Sequence, residues 1–164
     1  MRSEQLHFGY EFEIVRDGVV IDRFTEKNLI PTEGLNHMLD VVCHGGSQVP
    51  TWYVGIYEGD YTPAATNTAA NFPSLSTEST AYAESVRQTW VEGAPAAGVV
   101  DNSANKAIFT MNANKTIYGC FLSSVATKGA TTGVLLSAVR FSTPKVLIST
   151  DLLRVTAPVS LTAS

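Results

Sequence analysis

Short runs of β-branched and aromatic residues recur along the second half of this chain, with turn-forming residues between them. Strands of antiparallel β domains have this length, and a spacing of roughly ten residues is typical of two packed sheets or a closed barrel. The pattern therefore predicts a mainly β fold, either a β-sandwich or a jelly-roll-like barrel, and periodicity alone does not choose between them. The runs that carry this prediction are 84–92, 106–112, 116–125, 131–141, 145–148 and 151–163.

Two earlier segments add a central strand and one helix. The dense β-branched and aromatic run at 51–58 is typical of a central strand. Residues 32–44 predict a single amphipathic helix, with Thr32 as a candidate N-cap and a glycine pair ending it at 45–46. Such a helix is long enough to lie across a sheet edge. The apolar residues that recur at helical spacing are Leu35, Met38, Leu39 and Val42.

The N-terminal segment has the alternation and the turn of a β-hairpin. Apolar residues alternate between Phe8 and Ile14, and Asp17-Gly18 supplies a turn because glycine accepts a positive φ. The predicted organisation is an N-terminal β-hairpin or arm over residues 1–27 and a β-sandwich or jelly-roll-like domain over residues 28–164. Together they make a single domain overall.

Two extended elements are candidates for binding a partner. The hairpin carries more aromatic surface than two strands can bury within themselves. The segment 59–80 has almost no apolar periodicity, and loops of that length in compact domains are usually functional or disordered. The alternatives are a hairpin that packs on its own domain and a loop that is a solvated surface excursion. The residues predicted to contact a partner are Phe8, Tyr10, Phe12, Tyr61 and Phe72.

Composition excludes several classes of function. Charged residues make up only 16% of the chain and the net charge is −4, with Lys and Arg spread singly. Nucleic-acid binding requires a basic stripe to neutralise phosphates, so no nucleic-acid partner is expected. No apolar run reaches the length of a membrane-spanning helix, and the first residues lack the apolar centre of a signal peptide. We therefore expect that the protein does not associate with membranes. We expect it to be synthesised in the cytoplasm.

A search for catalytic or metal-binding constellations finds none. Cys43 and His44 are adjacent on the predicted helix and therefore point in different directions. Cys43 and Cys120 are expected to be buried free thiols. The carboxylates around the long loop match no calcium-binding pattern and are expected to be solvated. The sequence thus predicts no enzymatic activity, no cofactor and no metal. Those carboxylates are Glu58, Asp60, Glu78 and Glu84.

Several framework segments resemble a small family of structural proteins encoded by tailed bacteriophages and prophages. They include NLIPTEGLNHML, TWYVGIYEGDYTPAATNTAANF and NSANKAIFTMNANKTIYGCFLSS, and together they extend from Asn28 to Leu161. These segments carry no chemical motif, so the resemblance concerns the β-domain framework and not a reaction. Residues 1–27 lie outside it.

The resemblance implies a virion component, a capsid decoration or cement protein that stabilises the assembled shell. Its partners are then the major capsid protein of the capsomers and other copies of itself in a homotrimer. Its location is the capsid surface of the virion, after synthesis in the bacterial host. The alternative is a module of the tail, neck or head fibre that binds a receptor or carbohydrate. The aromatic residues proposed for a sugar platform in that alternative are Trp52, Tyr57, Tyr61 and Trp90.

Overall fold

The protein is represented by a computed structural model, and the structure describes residues 9–160. The fold is mainly β and β-sandwich-like, as the strand spacing predicts. Two α-helices are present in this range, α1 (Thr32–Leu39) and α2 (Phe72–Ser76). The strands are β1 Gly9–Arg16, β2 Val19–Lys27, β3 Trp52–Tyr57, β4 Gln88–Trp90, β5 Val99–Val100, β6 Ala107–Thr110, β7 Lys115–Ser123, β8 Leu135–Leu147, β9 Leu152–Thr156 and β10 Val159–Ser160.

Two four-stranded antiparallel sheets enclose the main core. The first sheet has the order β2-β1-β9-β6 and the second has the order β4-β3-β7-β8, while β5 and β10 form a separate small pair. Alternate residues of each sheet point toward the other sheet, as the two-residue period of a strand requires. The Tyr10 hydroxyl of the first sheet lies 2.6 Å from the Ser137 hydroxyl of the second. Buried side chains from both sheets form one cluster that includes Phe12, Ile14, Phe109, Leu153, Val54, Ile56, Leu122 and Phe141.

The N-terminal hairpin forms half of the first sheet. Asp17 and Gly18 have positive φ angles of 49° and 77°, which confirms the predicted turn. β1 pairs with β2 along one edge and with β9 along the other, so that Phe12 lies opposite Val155. Residues 9–27 of the hairpin therefore pack on their own domain, which is one of the two alternatives that the sequence leaves open.

The segment 59–80 covers the outer face of the second sheet. Phe72, on α2, packs its ring against Tyr57 and Phe121, which point outward from β3 and β7. Within the segment, the buried Asn67 accepts a hydrogen bond from the Ala64 N–H. The segment is therefore neither an extended arm nor a solvated excursion, because its Ala69 and Phe72 complete a second core with residues of the sheet.

The predicted helix is present, but its ends differ from the prediction. α1 continues as a π-helix over Asp40–His44, and Gly45, with a φ of 81°, ends it as expected. Thr32 is not the N-cap: Pro31 holds that position, and the Thr32 N–H donates to the Ala65 carbonyl at 2.9 Å. The loop carbonyl thus replaces a side-chain cap. Two further strand predictions need correction, because 131–141 and 145–148 join in one strand, β8, and 84–92 contributes only β4.

A buried carboxylate ties the hairpin to the start of β9. Asp151 has no exposed side-chain surface, and Arg16 donates two hydrogen bonds to its oxygens at 2.8 and 2.7 Å. The Ile148 N–H donates a third, at 2.9 Å. Hydrogen bonding to Arg16 lowers the pKa of Asp151 below its usual value.

We expect the contribution of this pair to stability to disappear in acid. A carboxyl whose pKa is lower in the folded protein stabilises it above the unfolded pKa of about 3.9, and this is lost as the pH falls further. Arg16→Gln should therefore be less stable than wild type at pH 7, and this difference in stability should shrink progressively as the pH falls below about 3.9. Urea unfolding of both proteins across this range measures the difference. A difference that stays constant with pH would mean that Arg16 does not act through the charge of Asp151.

Candidate interaction surfaces

Three of the predicted partner contacts are buried in the folded chain. Tyr10, Phe12 and Phe72 have essentially no exposed surface, because they fill the two cores described above. In the folded chain by itself, these three side chains therefore offer no accessible surface to a partner. Tyr61 is half-buried and packs edge-on against Phe72 at 6.0 Å between ring centres. Phe8 lies outside the described residues.

The aromatic residues proposed for a sugar platform do not form an exposed face. Tyr57 is buried, and so is Trp90, whose indole N–H donates to the Ala157 carbonyl at 3.0 Å. Trp52 is half-buried with the His37 ring edge-on against it at 5.6 Å. Stacking on a sugar requires an open ring face, and two of these rings are closed off by the core.

The carboxylates around the long loop have protein partners; the expectation of solvated charges is wrong for Glu78, whereas the Asp60 side chain is 69% exposed, as expected. Glu78 is buried and paired with Arg87. Among residues 9–160, no group of three or more His, Cys, Asp and Glu side chains is arranged to hold a metal ion. The other partners are Lys115 for Glu58, Arg140 for Asp60 and the Thr110 N–H for Glu84.

The two cysteines lie in opposite environments. Cys120 is buried in the main core, and burial raises the pKa of its thiol well above the usual value. Cys43 lies on the π-helix and is exposed, so the expectation that both thiols are buried is wrong for Cys43. Both are free, as expected.

The surface that stands out is an apolar stripe on the helix. Leu35, Leu39 and Val42 point into solvent, and the side chains of Leu39 and Val42 are 61% and 82% exposed. Leu35 and Leu39, four apart on α1, lie on one face of the helix, and Val42 follows on the π-helix. We call these three exposed apolar residues the helix stripe. Large apolar residues clustered on one exposed face are typical of surfaces that bind another protein.

The helix is held so firmly that the stripe cannot turn inward. Gly34 packs directly on the backbone of Leu136 in β8, where a Cβ atom would collide with the Leu136 carbonyl. The Glu33 carboxylate accepts hydrogen bonds from the Leu135 and Ala69 N–H groups at 2.7 and 2.8 Å. Met38 packs against the main core. The sequence identified the apolar residues but not their direction, and the small Gly34 was the signal that marked the buried side.

No protein-family model matches this chain, and no curated protein matches it either. None of the helices within residues 9–160 is long and apolar enough to cross a membrane. A functional proposal therefore depends on the framework resemblance of the sequence and on the helix stripe.

Proposed function

We propose that this chain is a non-enzymatic structural protein of a tailed-phage virion, a capsid decoration protein that binds the assembled shell through the helix stripe. The observation that carries the proposal is the exposure of three apolar side chains on a helix fixed to a rigid sandwich. The proposed partner is the major capsid protein, and no cofactor takes part.

Burial of the stripe supplies the binding free energy in this proposal. Covering one Leu or Val side chain stabilises a complex by about 1.5–3 kcal/mol before the costs of association. Because the stripe is already fixed in the free protein, little conformational entropy is lost on binding. A ligand that binds only the assembled shell stabilises that shell by mass action. We propose further that the chain acts as a homotrimer, as its resemblance implies.

Replacing Leu39 with Glu tests the contact. The substitution leaves the fold intact because the side chain is exposed, but it would place a charge inside the proposed interface. We expect occupancy on undecorated shells to fall at least about tenfold, since burying an unpaired charge costs more than 1.4 kcal/mol. Co-sedimentation with shells measures the occupancy, after thermal melting has shown the variant to be folded.

The matched control is Val146→Glu, which adds the same charge at an exposed apolar residue of β8. It should bind shells as wild type does. Equal binding by both variants would place the contact elsewhere. Copy number separates the capsid from the tail: hundreds per virion fit decoration, whereas a handful to dozens fit a tail, neck or fibre module. Light scattering that finds a monomer both free and on the particle would contradict the trimer.

A further inference from the structure

The outer face of the first sheet carries a cluster of three cations around one carboxylate. Glu13 of β1 lies 3.1 Å from the Arg23 Nε of β2 and 3.1 Å from the Lys106 ammonium beside β6. The Arg154 guanidinium of β9 lies 3.7 Å away. Four neighbouring segments thus direct charged side chains to one point, which we call the cation cluster.

The single carboxylate of Glu13 does not neutralise the three cations of this cluster. The pKa of Glu13 is lowered, mainly by its hydrogen bond to Lys106, so the carboxylate is ionised, yet it is shared among three cations. Glu11 is a second carboxylate that lines the same groove. One positive charge remains in excess on a protein whose net charge is −4. The Arg154 Nε is buried and has no hydrogen-bond partner among the described residues. A buried donor of this kind favours an added acceptor.

The cations line an open groove of about 310 Å³. Thr25 and Thr156 contribute hydroxyl groups to it, whereas the rings of Phe12 and Phe24 pack in the main core on the other face of the sheet. A small inorganic anion would use the cations alone. An extended polypeptide would also use the hydroxyl groups, because its backbone exposes hydrogen-bonding groups along its length.

We propose that this groove binds an acidic polypeptide segment of a partner protein, with a carboxylate of that segment taking the place of Glu13 on Arg154 and Lys106. Charge complementarity to the excess cation identifies the partner chemistry. The site lies on a different element from the helix stripe, so it goes beyond the proposed shell contact and does not depend on it.

Titration with a synthetic pair of peptides tests the site. The first is an eight-residue peptide that alternates Glu with Thr and Val, and the second has Gln in place of every Glu. At low ionic strength the acidic peptide should bind and the neutral peptide should not. Arg154→Gln should weaken binding about tenfold, because a hydrogen bond to a charged group is lost. Added salt should weaken binding of the wild type as well.

Two further variants make the test specific to the cluster. Arg140→Gln removes an arginine of the second sheet that is about as exposed as Arg154 and pairs with Asp60. This substitution should leave peptide binding unchanged. Glu13→Gln removes the internal competitor and should tighten binding severalfold, a change opposite in sign to that of Arg154→Gln. If Arg154→Gln fails to fold, Glu13→Gln and Lys106→Gln still test the site.

Three results would overturn the proposal. The first is no binding at millimolar acidic peptide in low salt. The second is equal weakening by Arg154→Gln and Arg140→Gln, which would indicate general charge attraction. The third is displacement of the peptide by phosphate at equal concentration, which would make a small oxyanion the ligand. Binding of the acidic peptide that increases in Glu13→Gln and falls in Lys106→Gln would support it.

Discussion

Replacing Arg87 with Met should lower the free energy of unfolding by about 3–5 kcal/mol. Arg87 and Glu78 are both buried, and the guanidinium donates two hydrogen bonds to the carboxylate at 2.8 and 2.7 Å. Removing one partner leaves the other charge buried without compensation. The substitution also removes the donors to the Val125 and Ala130 carbonyls, at 2.9 and 3.3 Å. These contacts connect the segment 59–80, which covers the second sheet and which we call the covering loop, to the turn between β7 and β8.

Urea unfolding of Arg87→Met measures this effect, and a second substitution separates charge from packing. The double variant Arg87→Met with Glu78→Gln should recover part of the loss, because the buried negative charge is gone. Arg140→Met is the control, since its ion pair with Asp60 is exposed and such pairs contribute about 0–1 kcal/mol. Equal losses for Arg87→Met and Arg140→Met would contradict the buried-pair explanation.

The parts of the fold that could be predicted from the sequence are those with local causes. The Asp17-Gly18 turn depends on two positive φ angles that these residues tolerate, and the strands on either side alternate around it. The run at 51–58 is apolar on both faces because Val54 and Ile56 face the main core and Tyr57 faces the second core around Phe72. The left-handed Gly45 ends the helix for the same local reason.

The parts that could not be predicted depend on distant contacts. The segment 59–80 looks polar and aperiodic, yet one ring, Phe72, inserts between outward-facing aromatic residues of the second sheet. Composition of the loop does not reveal an apolar outer face on strands far away in sequence. The direction of the helix stripe likewise depends on Gly34 meeting the β8 backbone about a hundred residues later.

The cation cluster was also beyond the sequence, because its members are scattered. Arg23, Lys106 and Arg154 are single charges with no basic run around them. Only the order β2-β1-β9-β6 brings them to the same face of one sheet. A search for charge blocks finds electrostatic sites made by local sequence, and it misses those made by strand pairing.

Phe72→Ala should lower the free energy of unfolding by about 3–5 kcal/mol, the usual cost of emptying a large buried ring position. The Phe72 ring has no exposed surface and lies 5.6 Å from the Tyr57 ring and 5.3 Å from the Phe121 ring, both edge-to-face. Its removal leaves a cavity between the covering loop and the second sheet, and the neighbouring rings lose their edge contacts.

Leu75→Ala is the matched control, because Leu75 belongs to the same short helix but its side chain is 50% exposed. It should cost less than about 1 kcal/mol, as surface truncations usually do. Chemical unfolding compares the two variants with wild type, and co-sedimentation with shells compares binding below the unfolding transition. If Phe72 acts only through the core, the folded fraction of Phe72→Ala binds as wild type does. A variant of normal stability that no longer binds would instead make Phe72 a contact residue and would mean that this loop opens to receive its partner.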